Sequence, residues 1–439
     1  MRRLCKADLT LFPVTSTRTP LLNFRRIRAV FAIAAPICAG VIVVGQSVIM
    51  SLPQEPLNAP VIRDAKAAQE GIIESRPPAS GTLFTRGPVT LRTNVMYRFM
   101  KAEGLPSGIK EVDTDIQTIA PTFSLDFGRH WSVSYDPSWT YYSSPEFEDT
   151  FDQSVAIHGG MIGVHWLLML DQSFSLASPT LYETGQQTQQ KTWTTAVSAS
   201  RSIGSRYSLQ LNGHVAGLQS DFGNDSRDWS TDDWFMVQIS PGLNAGVGPT
   251  FGYVDISDAP DMTYQRFMGR LSFNPTNKLF FNASGGVERR QTNSSLAKDI
   301  ENPIVSMTTT YHPFETTSLS LSFDHTVNTS LYDNQVTVGA TWRLHFEQRL
   351  LRRFYFSADW SRAENEYQAT TEFDPAAPPT LPSLPGRKDD IDEFSCRLTT
   401  QLFKRLSIAA TYQDTSNQSN QGLFDTSTRQ YGIELNCRF

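Results

Sequence analysis

From Val89 to Phe439 the chain alternates apolar and polar side chains in segments of ten or more residues. Successive side chains on an extended strand point to opposite faces, so each segment predicts a strand with one apolar and one polar face. At the carboxy terminus Tyr431, Ile433, Leu435, Cys437 and Phe439 fall on one side, and Gly432, Glu434, Asn436 and Arg438 on the other. After Asn334, the set Val336, Val338, Ala340, Trp342, Leu344 and Phe346 opposes Thr337, Gly339, Thr341, Arg343, His345 and Glu347. The next segment sets Phe354, Phe356, Ala358 and Trp360 against Tyr355, Ser357, Asp359 and Ser361. Strand starts are predicted near Val89, Thr114, Trp131, Gln153, Leu167, Lys191, Tyr207, Asp232, Leu243, Met262, Leu279, Pro303, Ser318, Asn334, Arg353, Asp392, Leu406 and Thr426. That makes about 18 strands, with 16 the alternative, because the boundary near residues 163–166 and the first strand are the least sharply marked.

Residue type decides which face is inside. A water-soluble sandwich alternates too, but it hides the large apolar face and shows Lys and Glu to solvent. Here the apolar set is aliphatic and aromatic, and the polar set is Ser, Thr, Asn, Gln and charge with few Lys. Strands of this kind suit a cylinder with lipid outside and water within, the pattern of a transmembrane antiparallel up-and-down β-barrel. Closure follows because lipid cannot satisfy an open strand edge. The predicted fold class is therefore all-β, with a barrel over residues 88–439 and the lipid bilayer as its first partner. Connections agree: tight turns at residues 128–130, 203–206, 274–278 and 313–316 alternate with longer polar loops at 104–113, 182–190, 219–230, 291–301 and 372–390. The last holds five Pro, which keep it from extending the sheet.

Composition narrows the class further. A hydrophobic fraction of 39% is too low for a helical membrane protein, yet half of each barrel strand faces water. The net charge of −6 excludes nucleic acid as an expected partner. Four Cys offer no metal-ligand spacing: Cys5 and Cys38 precede the barrel, while Cys396 and Cys437 lie on apolar faces with one strand between them. That separation of roughly 9–10 Å exceeds disulfide reach. Residues 1–50 read as a signal or targeting segment, since Arg25, Arg26 and Arg28 precede an uncharged run from Ala29 to Val44. An uncleaved membrane anchor is the rival reading. Residues 51–87, rich in Pro, Ala and charge, read as a disordered periplasmic leader.

Other motifs have structural readings. Asp126-Phe127-Gly128 and Asp221-Phe222-Gly223 mimic a kinase tripeptide without its companions and read as turns. Gly246-Val247-Gly248 and Gly252 read as small residues on a curved strand. Acidic residues 221–233 read as a solvated loop, with a Ca²⁺ site as the alternative. Seven scattered His form no local catalytic signature, so no enzyme activity, cofactor or metal is expected. The candidate functional surface is the inward polar strip carrying Asp126, Arg343, Glu347, Asp359, Glu393, Arg397, Glu434 and Arg438. Both charge signs occur, which predicts no strong ion selectivity.

Over residues 88–439 the chain resembles β-barrel porin families of Gram-negative outer membranes, whose relatives include barrels encoded beside exopolysaccharide export systems. The resemblance rests on Gln172-Ser173-Phe174, on Glu183 to Thr188, on Gly246-Val247-Gly248 with Gly252-Tyr253, on Pro260 to Tyr264, and on the ending. It implies an outer-membrane barrel and a pore, with no catalytic residues. The ending looks like the assembly signal of such barrels, so Tyr431, Ile433, Leu435 and Phe439 are expected to meet the barrel assembly machinery. Two functions stay open: a porin-like channel for small hydrophilic solutes or saccharides, and a non-conducting structural or assembly component, for example in exopolysaccharide export. A homo-oligomer is compatible with the resemblance, although the sequence shows no interface signature.

Overall fold

The computed structural model describes residues 83–439 except 109, 182–183, 258, 295–298, 332–334, 352 and 371–385. The predicted signal and most of the leader lie outside the described residues. Eighteen long strands form the wall: β1 (Val89–Ser107), β2 (Lys110–Phe127), β3 (Trp131–Tyr142), β4 (Thr150–Ile162), β5 (Trp166–Ala177), β6 (Gln190–Ile203), β7 (Tyr207–Ser220), β8 (Ser226–Ser240), β9 (Leu243–Ile256), β10 (Met262–Thr276), β11 (Leu279–Thr292), β12 (Ile300–Phe314), β13 (Thr317–Thr329), β14 (Gln335–Leu350), β15 (Phe354–Ala369), β16 (Lys388–Phe403), β17 (Leu406–Ser419) and β18 (Thr426–Arg438). Each pairs antiparallel with the next, and β18 pairs with β1 from Asn94↔Arg438 to Glu103↔Arg429, which closes the ring. A short strand, Phe84–Arg86, doubles back on the start of β1. Eighteen of the two strand counts considered is the one the chain adopts.

The faces follow the alternation. Phe251, Phe267 and Ile433 are 54%, 66% and 53% exposed on the exterior. Aromatic residues gather there near both ends of the strands. Phe127, Trp131, Trp166 and Tyr207 lie by the tight turns, while Trp139 stacks on Phe151 at 4.9 Å nearer the loops; Phe323 and Trp342, 4.4 Å apart, lie midway along their strands. An apolar belt of this extent, flanked by aromatic residues, is a surface made for hydrocarbon with interfaces on either side. Connections at one end run two or three residues, as at 128–130 and 204–206; Gly128, at φ +63°, supplies a turn conformation closed to most residues.

Two expected loops are strand instead. Residues 104–107 and 110–113 continue β1 and β2 through the pairs Leu105↔Val112, Pro106↔Glu111 and Ser107↔Lys110. Gly104 and Pro106 read as loop residues, but Gly104 at φ +71° makes a bulge and its carbonyl accepts from Thr428 Oγ1 at 3.0 Å, tying the hairpin to β18. Likewise the expected loop 219–230 shrinks to residues 221–225, because Ser226 to Ser230 pair with both neighbouring strands.

The wall departs from a simple cylinder at one seam. Pairing between β12 and β13 covers Val305↔His325 to Tyr311↔Leu319 and then Phe314↔Thr317, although β12 continues to Ile300 and β13 to Thr329. Beyond the split, Val327 of β13 and Val336 and Val338 of β14 belong by register to the exterior face, the face of Phe323 and Trp342. They are nevertheless buried, in one apolar cluster with interior residues of β8 to β12 such as Trp234, Met262, Tyr264 and Ile304. The upper β13–β14 hairpin is therefore rolled inward behind β12. Among the bonds that hold it, Arg290 Nη2 of β11 donates to the Val327 carbonyl at 3.2 Å, and the Asn224 amide donates to the Leu331 carbonyl at 3.1 Å.

Candidate channel lining

The eight residues singled out from the sequence all sit on the interior register of the sheet, in three groups. Asp126 on β2 pairs with Arg92 on β1 at 2.5 Å. Arg343, Asp359 and Glu393 come together on β14, β15 and β16: Arg343 donates to Asp324 at 3.1 Å, Asp359 Oδ1 accepts from His345 Nδ1 at 2.5 Å, and Glu393 accepts from Gln413 Nε2 at 3.0 Å. Glu347 lies two positions beyond His345, in register with Ser357. Arg397 on β16 reaches across β17 to Glu434 on β18, with Nη1 at 2.9 Å and Nη2 at 2.5 Å from the two carboxylate oxygens. Arg98 of β1 is the cross-strand neighbour of Glu434, so the carboxylate lies beside the closing pair of strands with a guanidinium on each side. Arg438 pairs in register with Asn94.

A second charged wall, on β7 to β11, was not singled out from the sequence. Glu288 is shared by Arg266, at 2.5 Å, and Arg290, at 3.0 Å. Arg270 lies 3.8 Å from the ring centroid of Trp234, and Arg266 4.8 Å from that of Tyr264. The Tyr264 hydroxyl bonds Asp228 at 3.0 Å, and Asp232 accepts from Trp234 Nε1 and Thr250 Oγ1, each at 2.7 Å. Glycines give these rings room. A Cβ on Gly252 would lie 2.1 Å from Tyr264 Cζ, and one on Gly248 2.9 Å from Trp234 Cδ2. The available signal was the even-numbered series Tyr264, Arg266, Arg270, Glu288 and Arg290. Its exterior counterpart mixes Thr263 and Gln265 with Phe267 and Leu271, so residue type alone did not separate the two faces.

The third sector is acidic. Asp136, Asp152 and Asp171 project inward from β3, β4 and β5, and Asp171 bonds His158. Among the described residues, the interior positions of β3 to β6 carry no Lys or Arg. The carboxylates of residues 221–233 do not converge on a common centre. Asp225 accepts from the Ser220 amide, while Asp228 and Asp232 face the interior wall. Among the described residues no group of three or more His, Cys, Asp or Glu is placed to hold a metal ion. Cys396 and Cys437 are not joined in a disulfide and lie on the exterior register of β16 and β18 with β17 between them.

No protein-family model matches the chain, and no curated protein matches it. Solved structures with a similar fold include OccK2 (OpdF) of Pseudomonas aeruginosa in complex with glucuronate, at 10% identity, with 79% of this chain and 98% of that chain covered and a TM-score of 0.42. OprD of Pseudomonas aeruginosa gives 10% identity, 79% and 94% coverage and a TM-score of 0.41. The siderophore receptor PirA of the same organism gives 10% identity, 80% coverage of both chains and a TM-score of 0.40. Likeness at this level carries neither a solute nor a gating mechanism to this chain.

Proposed function

We propose that the protein is an outer-membrane channel of a Gram-negative bacterium that passes small hydrophilic solutes, saccharides among them, by diffusion through its interior. The observation that carries the reading is the division of one closed sheet into an apolar exterior and an interior of Ser, Thr, Asn, Gln and charge. A ring of 18 strands is wide enough for side chains to leave an aqueous path. The interior groups described above line that path, including Asp126, Arg343, Glu347, Asp359, Glu393, Arg397, Glu434 and Arg438. They act by charge placement and bore rather than by bond chemistry. Tyr431, Ile433, Leu435 and Phe439 present the closing strand to the barrel assembly machinery, and residues 1–50 direct export.

A second reading has an observation of its own. The inward-rolled hairpin and the buried Trp234 and Tyr264 fill one side of the interior, as a non-conducting structural or assembly component would tolerate. Planar-bilayer recordings of the purified protein separate the two. Stepwise ohmic conductance supports passage. Silence from protein that is folded and inserted overturns it in favour of the structural role.

A further inference from the structure

We infer that the split between β12 and β13 is a lateral portal, distinct from the axial path, through which a single-chain anionic amphiphile passes between the barrel interior and the membrane.

The ladder is interrupted where an amphiphile would arrive. Pairing stops at Val305↔His325, one exterior position above the aromatic pair Phe323–Trp342, which lies midway along β13 and β14 within the lipid-facing belt. Elsewhere a polar backbone edge at this depth would be costly. Here the edges are tended individually: His325 Nδ1 lies 2.6 Å from the Pro303 carbonyl, and Arg290 holds the Val327 carbonyl.

The contact behind the split is apolar on both sides. Ile300 and Ile304 of β12 and Met262 of β10 meet Val327, Val336 and Val338, which would face lipid had the hairpin stayed in the wall. The surface continues the apolar interior patch of Trp234, Met262 and Tyr264, which hydrophilic solutes do not need. An alkyl chain can replace the three valines against it without exposing apolar area to water. Releasing the hairpin breaks, among its contacts, the Arg290 and Asn224 hydrogen bonds to its backbone carbonyls.

The same movement frees a charge. With the Val327 carbonyl gone, Arg290 Nη2 points at the inner end of the slot, and Arg290 keeps Glu288 through Nε. A guanidinium at the end of an apolar slot recognises an anionic head on a single chain.

The test uses the full protein in phosphatidylcholine vesicles with a diazirine-bearing palmitate and the matching diazirine-bearing alcohol, and labelled peptides are located by mass spectrometry. A pair of substitutions, Asn224→Cys with Leu331→Cys, tethers the hairpin on oxidation, since these residues already share a backbone hydrogen bond. The carboxylate probe is expected to label segments 300–304 and 326–331 in the reduced protein, and oxidation to lower that labelling by about tenfold as the open population is removed. Labelling of the exterior strip around Phe251 and Phe267 should not change. Arg290→Gln, which needs no tether, should abolish the preference for the carboxylate over the alcohol. Equal labelling in oxidised and reduced protein, or an unchanged probe preference in Arg290→Gln, overturns the proposal.

Discussion

Replacing Glu434 by Gln removes a carboxylate that two guanidinium groups share. Glu434 is 1% exposed, and its oxygens take two hydrogen bonds from Arg397 at 2.9 and 2.5 Å, with Arg98 opposite on β1. Breaking a buried ion pair typically costs 3–5 kcal/mol, but the Arg397 side chain is 30% exposed, and water that reaches it reduces the loss to about 2–3 kcal/mol. At about 1.4 kcal/mol per factor of ten, the folded-to-unfolded ratio should fall roughly 30- to 140-fold. Arg397→Gln should cost less, about 1–2 kcal/mol, because Glu434 keeps Arg98 beside it. The double variant should then be more stable than the sum of the single losses implies, by about 1–2 kcal/mol. Urea unfolding in detergent micelles, followed by tryptophan fluorescence and by the mobility shift of folded barrel on unheated gels, measures all four proteins. The reasoning is refuted if Glu434→Gln lies within about 0.5 kcal/mol of the parent, or if the two losses simply add.

Three further outcomes are expected. The acidic sector on β3 to β5 should make the channel mildly cation-preferring; Asp136→Asn with Asp152→Asn should move the reversal potential in a salt gradient toward zero. Gly252→Ala should destabilise the barrel by about 1–3 kcal/mol in the same urea assay, because the new methyl meets a Tyr264 ring whose hydroxyl is anchored to Asp228. The Asp299 carboxyl, in the loop after β11, is held below its ordinary range by the hydrogen bond from Arg289 and then by Gln291. A lowered folded value means that this contact is complete above the ordinary carboxylate range and is lost as pH falls through the lower value. Carboxyl-carbon NMR of labelled Asp should therefore show Asp299 titrating below the ordinary carboxylate range, and Arg289→Gln should move it back up; an unchanged Asp299 in that variant refutes the assignment.

Most of the wall was legible because two chemistries meet across it. Where one face is aliphatic or aromatic and the other Ser, Thr or charged, as from Ala340 to Glu347, period two gives strand, face and interior residues together. Eight predicted strand starts, Val89 and Leu406 among them, coincide with observed ones. Legibility failed where residue type and geometry part company. Gly104, Pro106 and Gly108 carry the usual marks of a loop, but a bulge absorbs them into a hairpin. On β10 large apolar and charged residues share the interior face, so the second wall had no contrast to reveal it. The valines at 327, 336 and 338 show a subtler limit. Their alternation correctly names a common face, but what that face meets depends on whether the sheet stays in the ring, and no local pattern records that.

Strand number and tilt set the perimeter of a closed sheet. Curling one margin of the sheet inside the other uncouples that perimeter from the aperture. Extending or trimming the free margin by two residues at a time preserves the facing of every side chain. Such changes act like an iris, resizing the opening while the lipid-facing ring and the turns remain as they are.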